Sequence, residues 1–362
     1  MKRFTRRRFC SLVMLAAASL PLIAATPANE TAKIVSAANA FLASLDAGQR
    51  RSVMYAFDDQ QQRARWSNLP TGFVPRGGIA LKDMTPAQRS AAMNLVASAL
   101  SKKGYEKVLQ IMEGDEVLTR TDTGPGNNRP PRGNGGPPPG GPRGAMFGKD
   151  LYYISLLGTP SEKTPWMLQF GGHHLGLNVT IAGDQGVLTP TLTGAQPALY
   201  AENGKTVRPL GPESDTALAL LDSLDDDQKK QAVLSYELAD LVLGPGQDGK
   251  TIQPEGLKAS AMNDKQRAML LDVISQWADI INDSAAAARM DQLKADIHET
   301  WFAWSGPTTG TIGKNITAYY RIQGPHLVIE YAPQTLGGDP ALHVHTMYRD
   351  PTNDYGKGMI KQ

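Results

Sequence analysis

Six histidines occur in this 362-residue chain, and all lie C-terminal to residue 170: His173, His174, His298, His326, His343 and His345. The tightest group is Leu342-His343-Val344-His345. On a β-strand, alternate side chains share a face, so both imidazoles project to one side and Val344 to the other. Two such imidazoles, about 6–7 Å apart at their origin, can converge on one metal ion. His173-His174 is the second group. Adjacent strand residues point to opposite faces, so at most one of this pair joins His343 and His345 unless Gly171 and Gly172 bend the chain. His174, on the face of Asn178, is the better placed. The candidate metal ligands are therefore His173, His174, His343 and His345, and the competing reading is a packed or surface group whose nitrogens are satisfied by backbone.

A His-rich site usually needs a carboxylate. Glu330 stands among Leu327, Val328, Ile329 and Tyr331, where an unpaired charge would be costly. It either serves the site or forms a salt bridge with Arg321 or Arg349. Downstream runs Tyr348-Arg349-Asp350-Pro351-Thr352-Asn353-Asp354-Tyr355-Gly356. Asp350 before a proline reads as a turn residue, and Asp354 is a partner for Arg349. Asp350 could equally ligate a metal or orient a histidine. Glu330, Arg349 and Asp350 are the candidate catalytic residues.

Several chemistries are excluded. The single cysteine, Cys10, precedes a short apolar run, so the rest of the chain has no disulfide, thiolate ligand or cysteine nucleophile. There is no Gly-x-Ser-x-Gly elbow, Walker loop, strand-borne Gly-x-Gly-x-x-Gly or His-Glu-x-x-His. His298-Glu299 begins the last motif, but Phe302 occupies the position of its second histidine.

The elements that must position these residues read as a repeat. Ser44-Leu45-Asp46 with Gln49-Arg50-Arg51 recurs as Ser223-Leu224-Asp225 with Gln228-Lys229-Lys230. Gly78-Ile79, then Met84-Thr85 through Gln88-Arg89, recurs as Gly256-Leu257, then Met262-Asn263 through Gln266-Arg267. Thr85 and Asn263, each with Gln three residues later, predict capping boxes that start helices. Helices are also predicted near Ser36 and Thr216, with Phe41, Leu42 and Leu45 and then Leu220, Leu221 and Leu224 facing inward. Strand-like runs follow in each half. They are Leu151 to Leu156, Trp166 to Phe170 and Leu175 to Ile181, then Thr300 to Trp304, Ala318 to Ile322 and Leu327 to Tyr331. The expected fold is α+β with an internal duplication. Each half has helices followed by an antiparallel β hairpin or sheet, and the sheets combine in one core. The halves span residues 30–200 and 210–362.

Two segments stand outside this plan. Between Gly124 and Gly144, 15 of 21 residues are Gly or Pro, which predicts a disordered insertion. Residues 1–28 read as an export signal: Lys2, Arg3, Arg6, Arg7 and Arg8, then the apolar stretch Leu12 to Ala25. Thr5-Arg6-Arg7-Arg8-Phe9 matches the twin-arginine pattern, an ordinary Sec signal being the alternative. The apolar stretch is shorter than the ~20 residues of a spanning helix, so no stable membrane span is expected after cleavage. Removing the five basic residues of the head turns the formal net charge of +2 into −3. No basic field for nucleic acid remains. The location expected is periplasmic or secreted, with the twin-arginine translocase as the partner during export.

Phe170-Gly171-Gly172-His173-His174-Leu175, Tyr320 to Pro325 with Ile329-Glu330-Tyr331, and His343-Val344-His345 through Arg349-Asp350 and Asp354-Tyr355-Gly356 together resemble one family. It is the bacterial and fungal family known as domain of unknown function 3500, and the resemblance spans roughly Ala32 to Lys357. It implies weight on His173, His174, Glu330, His343, His345, Arg349, Asp350 and Asp354, and less on His326, but no reaction. Two functions follow from the residues. One is an exported metalloenzyme, a hydrolase or oxidoreductase, holding a divalent zinc, copper or iron ion that the ligands do not distinguish. The other is a non-catalytic periplasmic protein binding a small-molecule or polymer ligand through Trp166, Trp301, Trp304, Tyr319 and Tyr320.

Overall fold

Thr85 and Asn263 each cap a helix and set the packing of the element before it. The side chain of Thr85 accepts from Gln88 N while Gln88 returns a bond to Thr85 N, and Asn263 and Gln266 do the same. Each glutamine has a further use. Gln88 Nε2 donates to the Ser44 carbonyl (2.9 Å) and to Gln49 Oε1 (2.8 Å). Gln266 Nε2 donates to the Ser223 carbonyl (2.9 Å) and to Gln228 Oε1 (2.7 Å). Gln49 and Gln228 complete capping boxes with Asp46 and Asp225. A cap, a helix start and a loop are thereby fixed by one amide at two places in the chain.

This computed structural model describes residues 27–121, 146–336 and 338–359. The expected export signal, as far as residue 26, and the tract 124–144 lie outside the described residues. The first helices are α1 (Pro27–Ser44), α2 (Ala47–Val53), α3 (Gln60–Arg63), α4 (Pro86–Ala99) and α5 (Lys102–Thr121). Later come α6 (Gly211–Asp222), α7 (Asp226–Ala232), α8 (Asp264–Ala278) and α9 (Asp283–Ala295). No described helix is long and apolar enough to cross a membrane.

The strands are β1 (Met54–Tyr55), β2 (Ile79–Ala80), β3 (Tyr153–Leu157), β4 (Trp166–Gly172), β5 (Leu175–Ala182), β6 (Gln185–Val187) and β7 (Thr191–Ala195). A separate ribbon of β8 (Tyr200–Glu202) and β9 (Lys205–Val207) follows. Then come β10 (Leu257–Lys258), β11 (Trp301–Ser305), β12 (Tyr319–Gly324), β13 (Leu327–Pro333) and β14 (Val344–Arg349). All but the ribbon form one mixed sheet in the order β1-β3-β4-β5-β7-β14-β13-β12-β11-β10, with β2 on β3 and β6 on β5. The fold is α+β. Its centre is the antiparallel pair β7 and β14, where Gly194 faces His345 and Thr193 faces Thr346.

The long strands are buried on both faces, which explains their nearly unbroken apolar sequence. On one face Phe170, Leu177, Val344, Ile329, Tyr331, Tyr320 and Trp304 pack with Phe41, Leu95, Val96, Leu220, Ile274 and Trp277 of the helices in a single core. Trp304, Tyr320 and Tyr331 stack in series there, with centroids 6.0 and 5.0 Å apart.

The opposite face carries most of the buried polar side chains, beside small apolar clusters such as Trp66, Leu192 and Met347, and is covered by chain, not helix layers. Gln169 and Asn178 are cross-strand neighbours. Gln169 donates to Asn178 Oδ1 (2.9 Å) and to the Arg63 carbonyl (3.1 Å), and Gln62 donates to Gln169 (2.7 Å). Arg321 and Glu330 are neighbours in the same way on β12 and β13. Glu330 accepts from Val242 N and Leu243 N (2.7 and 2.8 Å), and Arg321 donates to Glu255 (2.8 Å). Residues 56–78 and 234–256 are thus laid over the sheet by buried polar side chains. Gly78 and Gly256 end or begin those covers at φ +90 and +94. A Cβ there would lie 2.0 Å from the Ile154 carbonyl oxygen and 2.3 Å from that of Phe302, so no other residue fits.

Candidate metal centre

His343 directly precedes β14 and His345 lies on it, so alternation puts both imidazoles on the polar face of the sheet. His174 reaches them from the turn between β4 and β5. Its φ is +59, in the left-handed region that non-glycine residues seldom adopt. This turn, not a bend at the preceding glycines, rotates His174 toward β14. Its peptide is held by Asn68, whose carbonyl accepts from His174 N (3.3 Å), and by Gly194 N, which donates to the His174 carbonyl (2.7 Å). A Cβ on Gly194 would come within 3.2 Å of the His174 ring and 2.9 Å of the Val344 carbonyl oxygen. Glycine at that position makes room for the imidazole.

The three rings converge. His174 Nε2 is 3.0 Å from His343 Nε2, which is 3.2 Å from His345 Nε2. One nitrogen from each lies within 4.8 Å of the others, and all three side chains are buried. These three buried histidines could hold a metal ion. Nitrogens bound to one tetrahedral ion at ~2.0–2.1 Å stand about 3.3 Å apart, close to the spacing here.

The far nitrogens fix where the hydrogens are. His343 Nδ1 is 2.7 Å from the Leu336 carbonyl oxygen, which can only accept, so Nδ1 carries the hydrogen. Burial, reinforced by the neighbouring His345, brings the His343 pKa down to about 4. The ring is then neutral and its Nε2 presents a lone pair. His345 Nδ1 donates to Asp240 Oδ1 at 3.2 Å, which leaves its Nε2 facing the other two rings. Burial, with the three other imidazoles adding to it, holds His174 well below its ordinary value. Asp240, despite the upward push of partial burial, is held below the usual carboxylate range by its bond to His345. An imidazole whose rear N–H is anchored on a carboxylate or carbonyl is the arrangement metal-bound histidines adopt.

His173 does not join the group. Its Nδ1 faces Asp115 Oδ1 of α5 at 2.7 Å, and its ring lies against that of His174 with centroids 3.7 Å apart. It backs the site instead of facing into it. Asp115, Asn68 and Asp240 have no sequence signal. Asn68 Nδ2 lies 3.3 and 3.4 Å from the two nitrogens of His345. All three come from segments distant in the chain that only the sheet brings near.

Glu330, Arg349 and Asp350 are not brought to the histidines. Glu330 accepts from the Tyr319 hydroxyl (2.7 Å) in addition to the two loop amides, and burial pushes its carboxyl up. The salt bridge expected with Arg321 or Arg349 does not form, because Arg321 pairs with Glu255. Arg349 donates to the Leu243 and Gly244 carbonyls and pairs with Asp248 and Asp354. It lies four strand residues from His345, about 13 Å away. Asp350 pairs with Arg289 at 2.9 Å and lines a cavity of about 330 Å³ with Tyr348 and Ile281, which none of the three histidines lines. Trp166, Trp304, Tyr319 and Tyr320 are buried in the molecule and present no surface to a ligand. Only Trp301 is partly open, beneath Lys258.

The family model described as "Protein of unknown function (DUF3500)" matches residues 27–357. No curated protein and no solved structure matches the chain.

Proposed function

The chain belongs to the DUF3500 family of proteins of unknown function, and from the geometry of its histidines we propose that it is an exported metal-binding protein that works as a metalloenzyme. His174, His343 and His345 are the ligands of one divalent ion, zinc, copper or iron. The observation that carries this reading is the 3.2 Å approach of His343 Nε2 to His345 Nε2. Both rings direct Nδ1 to an oxygen acceptor behind them, so the two Nε2 atoms face each other. A cation between them would be ligated by both. It competes with hydrogen-bond donors that stand beside the two nitrogens, His174 Nε2 at 3.0 Å from His343 Nε2 and Asn68 Nδ2 at 3.4 Å from His345 Nε2.

Three imidazole ligands leave a tetrahedral ion one open position, the ligand count of a catalytic rather than a purely structural site. Such a position activates water for hydrolysis or takes an exchangeable ligand in oxidation. Residues 1–28 direct the protein to the periplasm or beyond through the twin-arginine route, which carries folded and metal-loaded passengers. The paired caps at Gln88 and Gln266, the paired glycines Gly78 and Gly256 and the Gln169–Asn178 and Arg321–Glu330 positions support reading residues 30–200 and 210–362 as two copies of one unit. On that reading the second copy alone acquired the His-x-His pair.

Elemental analysis of untagged protein tests the site. After incubation with zinc, copper and iron in turn, wild type is expected to carry close to one ion per chain, and a His343→Ala/His345→Ala variant almost none. Wild type with under about a tenth of an ion per chain would sink the proposal.

A further inference from the structure

The loop that meets the histidines is gripped by one arginine. Arg76 Nη2 donates to the carbonyls of Ser67 (2.8 Å), Leu69 (2.6 Å) and Gly172 (2.9 Å), and Nη1 donates to the Val74 carbonyl. Ser67 and Leu69 flank Asn68, and Gly172 ends β4 two residues before His174. A single guanidinium thus joins the Asn68 loop to the strand end from which His174 turns. All these bonds go to main-chain carbonyls, so the charge of Arg76 serves the path of the backbone.

That path matters at Asn68. Its carbonyl accepts from His174 N at 3.3 Å, and its Nδ2 lies 3.3 and 3.4 Å from the two nitrogens of His345. Contacts of that length are weak and hold a loop poorly by themselves. The bonds to the carbonyls on either side are shorter and charge-assisted, which makes them the stronger restraint. Arg76 is itself fixed. Two residues on, Gly78 N donates to the Tyr55 hydroxyl (3.0 Å), and from Ile79 the chain pairs with β3. Burial brings its pKa down only to about 10, so the side chain is a cation at neutral pH.

We propose that Arg76 is a positioning residue of the histidine centre: by holding Ser67, Leu69 and Gly172 at one point it sets the approach of His174 and Asn68 to His343 and His345. The proposal goes beyond the metalloenzyme reading and rests on it only where metal is measured. Charge alone would act in the opposite sense. A guanidinium repels a divalent ion, so an uncharged replacement would strengthen metal binding if the geometry stayed the same. A loss of affinity therefore reports position.

The test compares the whole protein as wild type, Arg76→Met, Arg76→Lys and Arg267→Met. The last is the control for an arginine that holds carbonyls elsewhere, because Arg267 donates to those of Ala259 and Met262 before α8. Two quantities are read. One is zinc affinity by competition with a chelator, and the other is exchange of the His174 amide hydrogen in zinc-free protein, relative to the amides of β13. Arg76→Met is expected to bind zinc about 10–100-fold more weakly than wild type. Its His174 amide should exchange about tenfold faster while β13 stays protected. Arg76→Lys keeps a cationic donor but lacks the planar fork, so it should fall between the two proteins in both readings. It decides the question by the same readings if Arg76→Met does not fold. Arg267→Met should match wild type in both. Wild-type affinity or wild-type exchange in Arg76→Met would overturn the proposal. So would an equal loss in Arg267→Met, which assigns the effect to general destabilisation. If wild type itself binds no zinc, the metal reading fails, and the exchange of the His174 amide alone decides whether Arg76 holds this turn.

Discussion

At the scale of single residues, the centre depends on groups that hold the imidazoles as much as on the imidazoles themselves. Among the described residues Asp240 is the only carboxylate bonded to any of the three, and its side chain is 55% exposed. Its contribution is therefore orientation and charge at one ring nitrogen, with little packing at stake. Asp240→Ala is expected to weaken metal binding about 10–100-fold while leaving the melting temperature nearly unchanged. Competition with a chelator of known affinity measures this, and an unaltered affinity would show that His345 needs no partner at Nδ1. His173 illustrates the converse. It is chemically as able a ligand as its neighbour, yet its bond to Asp115 and the left-handed turn at His174 leave it behind the site.

At the scale of elements, the polar face of the sheet is where buried carboxylates hold loops. Glu330 is fully buried and fastens residues 242 and 243 to β13. Burial raises its carboxyl above the ordinary 4.5, with Tyr319 and the two amides opposing. As pH rises past 4.5 the unfolded chain releases this proton before the folded protein does. Stability is then lost until pH passes the raised folded value. Urea denaturation of wild type should show this loss, and Glu330→Gln, which cannot titrate, should flatten the slope while lowering stability by about 1–3 kcal/mol through its weaker loop bonds. Identical pH slopes in the two proteins would remove Glu330 as the cause. The Glu330→Gln variant should also retain its full complement of metal, because the side chain lies among Tyr319, Val242 and Leu243 and not among the histidines.

At the scale of the whole molecule, the ligands come from the two halves of the chain and meet only because β7 and β14 pair at the middle of one sheet. The centre therefore forms with the complete fold, and a metal would stabilise the native state against unfolding by mass action. The proposed export ties to this. A protein that must fold to make its site benefits from a route that transports it folded. Replacing Arg6 and Arg7 by Lys should leave uncleaved precursor in the cytoplasm, seen by fractionation and immunoblotting. Normal export of that variant would point to the Sec route and remove the link between folding and translocation.

The local devices were legible from the residues alone. Capping boxes at Thr85 and Asn263, strands in the aromatic runs and a shared face for His343 and His345 depend on spacings of two to four residues, which chain stereochemistry dictates. The sequence ranked His174 over His173 by strand alternation, whereas the fold turns His174 inward through a left-handed residue in the turn between β4 and β5. What tertiary structure decided was which distant residues share a space. Asp240 and Asn68 became partners of the site, and Glu330, Arg349 and Asp350 became anchors of loops and turns, because sheet order places β14 between β7 and β13. Strand order, and the loops folded across it, depend on long-range pairings whose energy is summed over the whole core. No short spacing in the chain encodes them.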